Sequence, residues 1–483
     1  RQPLDSDRSR WTALVVLCVG VLMIVLDATV VNVALPAIQS ELGFTQASLA
    51  WVVNAYLIAF GGLLLLAGRL GDLLGRRDVF LAGLAVFTAA SLACGLAQSQ
   101  AVLVVARFVQ GLGGALTAAV VLGMIVTMFP HPRERAKAIG VYGFVATAGG
   151  SVGLVAGGVL TEAIDWHWIF FVNLPIGVAT AALAWRLLRR DAGLGLGRGA
   201  DVPGALLITA SLMLLVYTIV EPAARQGWGA TPTLALGALS LALLAAFLWR
   251  QAVAASPLMP LRLFRSPNVS GANAIQALSV VGMFGTFFLG ALYLQRVLGY
   301  DALQTGLAFL PSTVVMGTLS LRYSDRVVAR FGPKRPVLAG LVLVAAALAV
   351  FTRAPVAGSY VEHVLPVMVL LGAGAGLCFP ALMALAMSGA TPSDAGLASG
   401  LVNTTAQVGG AVGLALLATL ASERTLDAAA AGAAGDAALV SGYHLAFAVA
   451  AVFVLAALVV GATVLRTERA PAAAREPACP EAA

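Results

Sequence analysis

The chain has 483 residues, of which 60% are hydrophobic and 11% charged, with a mean hydropathy of +0.94. Soluble domains carry roughly 25% charged residues, so that class is excluded. The net charge of +7 is spread over many short segments, which leaves no concentrated surface for nucleic acid.

Apolar runs of bilayer length recur from Trp11 to Leu465, without the short alternation of an outer-membrane barrel. The expected fold is an all-α integral membrane bundle of fourteen transmembrane helices. They are placed near 11–34, 48–67, 79–97, 102–128, 138–160, 168–188, 202–220, 232–250, 269–294, 303–321, 336–352, 364–388, 396–421 and 441–465. With the N-terminus inside, the cytoplasmic segments hold 24 of the 29 basic residues, and the external ones only Arg225, Arg296, Arg353 and Arg424. Both termini are therefore expected in the cytoplasm. The expected divisions are a tail at 1–10, a six-helix half at 11–190, two inserted helices with flanking loops at 191–266, a second six-helix half at 267–465, and a disordered tail at 466–483.

In chain order, Asp27 is the one acid well inside an apolar run. A carboxylate at the bilayer centre costs about 2.5–3.5 kcal/mol even on insertion scales, so it needs a proton, a partner or water. The role this predicts is binding and releasing protons. The second span ends in Gly68-Arg69-Leu70-Gly71-Asp72-Leu73-Leu74-Gly75-Arg76-Arg77 at the cytoplasmic edge. There Asp72 would cap a neighbouring helix and the two arginines would pair with acids across the bundle, locking one conformation. The plainer reading is that Arg76 and Arg77 only anchor topology. Arg107 opens the fourth span. Asp27 lies about 24 Å from the inner edge and Arg107 about 8 Å from the outer edge, similar depths in a core about 30 Å thick. The two are expected to pair, as a proton-dependent contact or as a static lock between spans one and four.

An internal repeat organises the chain. The loop after span two has a counterpart at 321–335, where Asp325 and Arg326 would form a weaker second switch. Gly140, Gly149 and Gly153 of span five match Gly400, Gly409 and Gly413 of span thirteen at identical spacing. Both pairs are eight spans apart, the offset of six spans, two inserted spans and six more. Such repeats build secondary transporters, with the substrate site between the halves. Gly157 and Gly158 extend the small-residue face of span five, which allows close helix contact. Cys18, Cys94 and Cys378 fall in apolar spans and Cys479 in the tail, so no disulfide framework is expected. The four histidines lie far apart and no phosphate-binding loop is present, so neither a metal nor an enzymatic centre is expected, and protons are the only coupling species.

Leu26-Asp27 through Pro36, Gly68 to Arg77, Arg107-Phe108-Val109-Gln110-Gly111-Leu112-Gly113-Gly114, the glycines of span five and Trp166-His167-Trp168-Ile169-Phe170-Phe171-Val172-Asn173-Leu174-Pro175-Ile176-Gly177 stand in order on successive spans. Together they resemble the motifs of the major facilitator superfamily, and within it the fourteen-span drug:proton antiporters. Leu154 stands where the antiporter motif has proline, and His167 where arginine is usual. The resemblance implies export of a small lipophilic substrate across a bacterial cytoplasmic membrane by alternating access, in exchange for protons, by a monomer among membrane lipids. It implies that the glycine face of span five meets the other half. It also directs attention to polar and aromatic residues on the cavity-lining spans: Asn32, Asn54, Tyr56, Gln110, Asn273, Gln276, Phe284, Phe287, Tyr293, Asn403 and Gln407. Because Asp27 alone lies well inside, neutral or monovalent substrates are expected. A proton-coupled transporter of one endogenous metabolite is the alternative.

Overall fold

The computed structural model describes residues 7–45, 48–129, 132–191, 193, 195, 201–254, 257–258, 261–387 and 395–466. Their regular structure is helical: α1 (Asp7–Leu42), α2 (Trp51–Leu74), α3 (Arg76–Gly95), α4 (Gln100–Met128), α5 (Pro132–Ala163), α6 (Trp168–Phe171), α7 (Asn173–Leu187), α8 (Val202–Thr218), α9 (Ala224–Gln226), α10 (Thr231–Val253), α11 (Pro267–Arg296), α12 (Ala302–Thr318), α13 (Ser324–Phe331), α14 (Lys334–Phe351), α15 (Leu365–Met387), α16 (Ala395–Ala430) and α17 (Gly435–Thr463). Helix is the form in which an apolar segment satisfies its own backbone. The starts are written locally: Ser99 accepts from the Val102 amide, Ser266 from Val269, and Asp301 closes a capping box with Gln304.

Among the described residues, eleven helices are long and apolar enough to cross a bilayer, or twelve when the two arms of α2, bent by 49°, count as one rod. Two expected spans fall short of that measure. Within α5 (Pro132–Ala163) the described residues give an apolar stretch over Val152–Ala163, and α12 stops after 17 residues at a π-helical turn, Leu319–Tyr323. The stretch 422–440, expected outside the membrane, is largely helix: α16 runs on to Ala430 and α17 begins at Gly435. Its alanines favour continuation over a loop.

Polar contacts tie the helix ends together on two faces. On the near face, which carries the start of α1, Arg10 pairs with Glu134 at the start of α5, and Asp78 of α3 with Arg190 after α7. There too the Arg466 amide donates to Asn268 of α11, and Lys334 of α14 to the carbonyl of Leu465. On the far face Trp166 donates to Glu41, Gln100 to the Leu42 carbonyl, Trp228 to Glu423, and His444 to the Ala354 carbonyl.

The packing repeats. In the first helix set α1 packs on α5 and α7, α2 on α4, and α3 on α4 and α7. In the second, α11 packs on α16 and α17, α12 on α15, and α14 on α15 and α17. Each contact has its counterpart at the offset seen in the sequence. The sets meet along two seams, α5 on α12 and α2 on α16, which are themselves counterparts. The intervening α8 and α10 form a hairpin closed by reciprocal bonds, Ser211 hydroxyl to the Ser240 carbonyl at 2.9 Å and Ser240 hydroxyl to the Ser211 carbonyl at 3.0 Å. That hairpin leans through α8 on both α2 and α16.

Candidate functional site

Inside the first helix set, Asp27 of α1 and Arg107 of α4 form an ion pair, Nη1 to Oδ2 at 2.5 Å, with both side chains fully buried. The depth argument from the sequence therefore leads to a direct contact. The other carboxylate oxygen, Oδ1, accepts from Gln110 Nε2 at 2.7 Å and Asn173 Nδ2 at 2.9 Å. Arg107 spends its Nε on the Val52 carbonyl of α2 and also donates to Gln110 Oε1. Both amides donate onward to Ser91 of α3, at 2.6 and 3.1 Å. The guanidinium lies over the Tyr56 ring, 4.5 Å from its centroid, and 5.7 Å from that of Phe170.

Four buried polar side chains on α3, α4 and α7 thus gather around the Asp27 carboxylate, three of them bonded to it directly. Burying a pair of ions pays back only when further hydrogen bonds satisfy them, and here three donors reach Asp27. Removing one partner from such a pair costs about 3–5 kcal/mol, because the other is left unpaired. Asn173 stands in the span-six signature but carried no assigned role, and Ser91 gave no signal in sequence. A polar residue within an apolar run was the available clue for both.

The near-face loop differs from its expected wiring. Asp72 pairs with Arg76 one turn on, at 3.1 Å. The start of α3 is capped instead by Asp191, whose carboxylate accepts from the Arg76 amide at 2.9 Å and the Arg77 amide at 3.3 Å. Gly75 makes this approach possible: its φ is +101°, and a Cβ there would sit 2.6 Å from the Asp191 carbonyl oxygen. Arg77 finds the Trp185 carbonyl at 2.6 Å and stacks on its ring, where an acid across the bundle was expected. Arg76 also donates to the Gly123 carbonyl, and Gly68 lies beside Ala119, so these contacts stay within the first helix set. Arg326 is exposed on α13, and the side chain of Asp325 lies outside the described residues.

The span-five glycines divide between two neighbours, which corrects the expectation that their face meets the other half. Gly149, Gly153 and Gly157, spaced four apart, face Leu22, Val25, Leu26, Thr29 and Val30 of α1. Gly158, 100° further round, meets α12: a Cβ there would lie 2.7 Å from the Ala302 carbonyl oxygen and the Leu303 Cα. Gly306 returns the contact toward the Leu154 carbonyl. With leucine at 154, α5 runs uninterrupted. Gly140 has surroundings outside the described residues.

Several expected substrate contacts are already committed. Gln110 belongs to the carboxylate network. Asn32 turns back on carbonyls of its own helix, and Asn273 donates to the Val269 carbonyl while accepting from Thr405. Tyr293 donates to the Pro355 carbonyl and packs against Phe351 and Tyr443, away from the seams. Phe284 packs beside Gly410 and Phe287 against Phe309. Unspent polar atoms remain on Asn54 (Nδ2 and Oδ1), the Tyr56 hydroxyl and Gln407 Oε1, all buried without a hydrogen-bond partner among the described residues. Gln276 is buried and Asn403 half-buried. Among the described residues no three acids, histidines or cysteines gather as metal ligands.

The profile described as Major Facilitator Superfamily matches residues 17–414. The chain belongs to that superfamily. Two sequence relatives agree over almost its whole length: the puromycin resistance protein pur8 of Streptomyces alboniger, 39% identical over 94% of this chain and 90% of that one, and the cephamycin export protein CmcT of Amycolatopsis lactamdurans, 40% identical over 92% and 90%. The tetracenomycin C resistance and export protein of Streptomyces glaucescens is 35% identical over 88% and 78%. In fold, the chain is similar to an inward-facing bacterial homologue of the human lysosomal transporter Spinster, with a TM-score of 0.68 at 18% identity over 97% of this chain and 100% of that one. An auto-inhibited peptide transporter of the POT family gives 0.68 at 17% over 95% and 99%. As a member of the superfamily this chain is a multi-pass membrane transporter rather than an enzyme.

Proposed function

We propose that the chain is a proton-coupled antiporter that exports a neutral or monovalent lipophilic drug or antibiotic across the bacterial cytoplasmic membrane. Counting the bent α2 as one rod, α5 with its charged near-face start, and α12 continued through its π turn, the chain crosses fourteen times with both termini inside. The observation that carries the proposal is the sealed Asp27–Arg107 pair with its two amide donors. A buried carboxylate held by one cation and two amides has two stable occupancies, ionised and paired, or protonated and released. The names of the relatives, which concern puromycin, cephamycin and tetracenomycin C, support an antibiotic as cargo. They also favour a dedicated exporter of one such compound over a broad drug pump.

In this orientation the far face is external, and it is closed: Gly158 against Ala302, Gly306 against Leu154, and Gln295 donating to the Val33 carbonyl at 3.0 Å. The arrangement corresponds to an inward-facing state. Protonation of Asp27 removes the charge that holds Arg107, freeing α1 from α4. The opposite side of α1 rests on the glycine face of α5, and α5 carries Gly158 to the external seam. A packed route therefore runs from the carboxylate to the gate. Asn54, Tyr56 and Gln407 supply the unspent polar atoms for cargo. An efflux-deficient bacterial host expressing the chain tests the proposal: resistance to a lipophilic antibiotic should rise and then collapse on adding a protonophore. Resistance that survives the protonophore would reject proton coupling.

A further inference from the structure

On the far face, the loop after α14, the end of α16 and the start of α17 line an open surface cavity of about 670 Å³. Its lining includes Thr352, Pro355, Arg424, Ser441, His444 and Leu445. Among the described residues Arg424 donates through Nε alone, to the Ser441 hydroxyl at 3.1 Å. His444 Nε2 lies 2.8 Å from the Ala354 carbonyl, an acceptor, so that nitrogen carries the proton. Arg353 follows the lining residue Thr352, and Arg296 lies beside Tyr443. Of the four arginines in the far-face segments, Arg424 belongs to the lining of this cavity. The far-face acids of the second helix set are Asp301, Glu362, Glu423, Asp427 and Asp436, of which Glu423 bonds Trp228. Below the cavity, α17 presents one exposed apolar line: Leu445, Val452, Leu455 and Val459 are 37–64% exposed at steps of seven, three and four. Those residues span about 21 Å of helix, more than the roughly 15 Å depth of one hydrocarbon leaflet.

We propose that this cavity binds the phosphodiester headgroup of an anionic glycerophospholipid. Arg424 holds the phosphate, and an acyl chain runs down the apolar line of α17. A guanidinium with two unspent donor groups matches a phosphate in charge and geometry, and the apolar line makes the ligand a lipid rather than a free anion. The leaflet is the outer one if the orientation proposed above holds, but binding itself does not depend on transport.

Native mass spectrometry of the full chain in detergent tests the assignment, with phosphatidylglycerol, phosphatidylcholine and glycerol 3-phosphate as probes. Phosphatidylglycerol should be retained in preference to phosphatidylcholine. Arg424→Gln should lower its affinity about fivefold, as expected for one surface arginine, while Arg424→Lys keeps most of it. Should Arg424→Gln fail to fold, as judged by its melting temperature without lipid, Arg424→Met carries the same test. Unchanged lipid preference in a folded Arg424→Gln or Arg424→Met variant would overturn the proposal. So would glycerol 3-phosphate competing as well as the lipid, which would mark a site for a free anion.

Discussion

The single most consequential residue is Asp27, and its surroundings decide what it can do. Held by three donors on α4 and α7, it is fixed in place by hydrogen bonds to groups that never leave the bundle. Asn173, like Gln110, bridges Asp27 and Ser91 with one nitrogen. A hydrogen bond to a charged group contributes about 1.5–3 kcal/mol, so Asn173→Ala should lower thermal stability by about that amount in a detergent melt. A stability equal to that of the wild type would show that Asn173 does not hold the carboxylate. The sequence made Asp27 and Arg107 legible because a charge in an apolar run has few explanations. It did not reveal Ser91, because an isolated serine in a membrane helix most often bonds its own backbone.

At the scale of helices, the glycine pattern was legible but its direction was not. Spacing of four placed Gly149, Gly153 and Gly157 on one face, yet only packing shows that this face meets α1 and that Gly158 alone of the described set meets α12. Gly158→Val, whose Cβ must displace the Ala302 backbone, should sharply reduce export measured as host resistance. Gly150→Ala, whose Cβ meets nothing nearer than 4.0 Å, should leave it unchanged. Equal resistance from both variants would deny the seam a role. The inserted hairpin is pinned at its near-face end by Asp201, which caps α8 and accepts from Arg250 and Gln251. Burial pushes this carboxyl up, but the bonds from Arg250, Gln251 and the Gly204 amide outweigh it and hold it below its ordinary value. A lowered carboxylate stabilises the fold above the ordinary carboxylate range and loses that contribution as pH falls through it. The wild type should therefore lose melting temperature below about pH 4, and Asp201→Asn should show less of that loss. A variant with the full acid dependence would place the effect elsewhere.

At the scale of the whole molecule, two similar helix sets meet along two equivalent seams, and the repeat was readable from two motif pairs at one offset. What could not be read was the wiring of the near-face loop, where Asp191, far along the chain, takes the capping role assigned to Asp72. Spacing reports which helix carries a residue; it does not report which distant loop folds back onto it. The substrate contacts were similarly hidden, because Asn273 and Tyr293 look like pocket residues until their partners are seen. The central claim, that one buried carboxylate couples protons to export, is tested most directly in proteoliposomes with an imposed pH difference. Wild-type protein should move a lipophilic antibiotic against its gradient only while the pH difference lasts. Asp27→Asn, which keeps a carbonyl acceptor for Arg107, should fold and bind yet give no gradient-driven movement. Transport by the wild type that ignores the pH difference, or full gradient-driven transport by Asp27→Asn, would contradict the account.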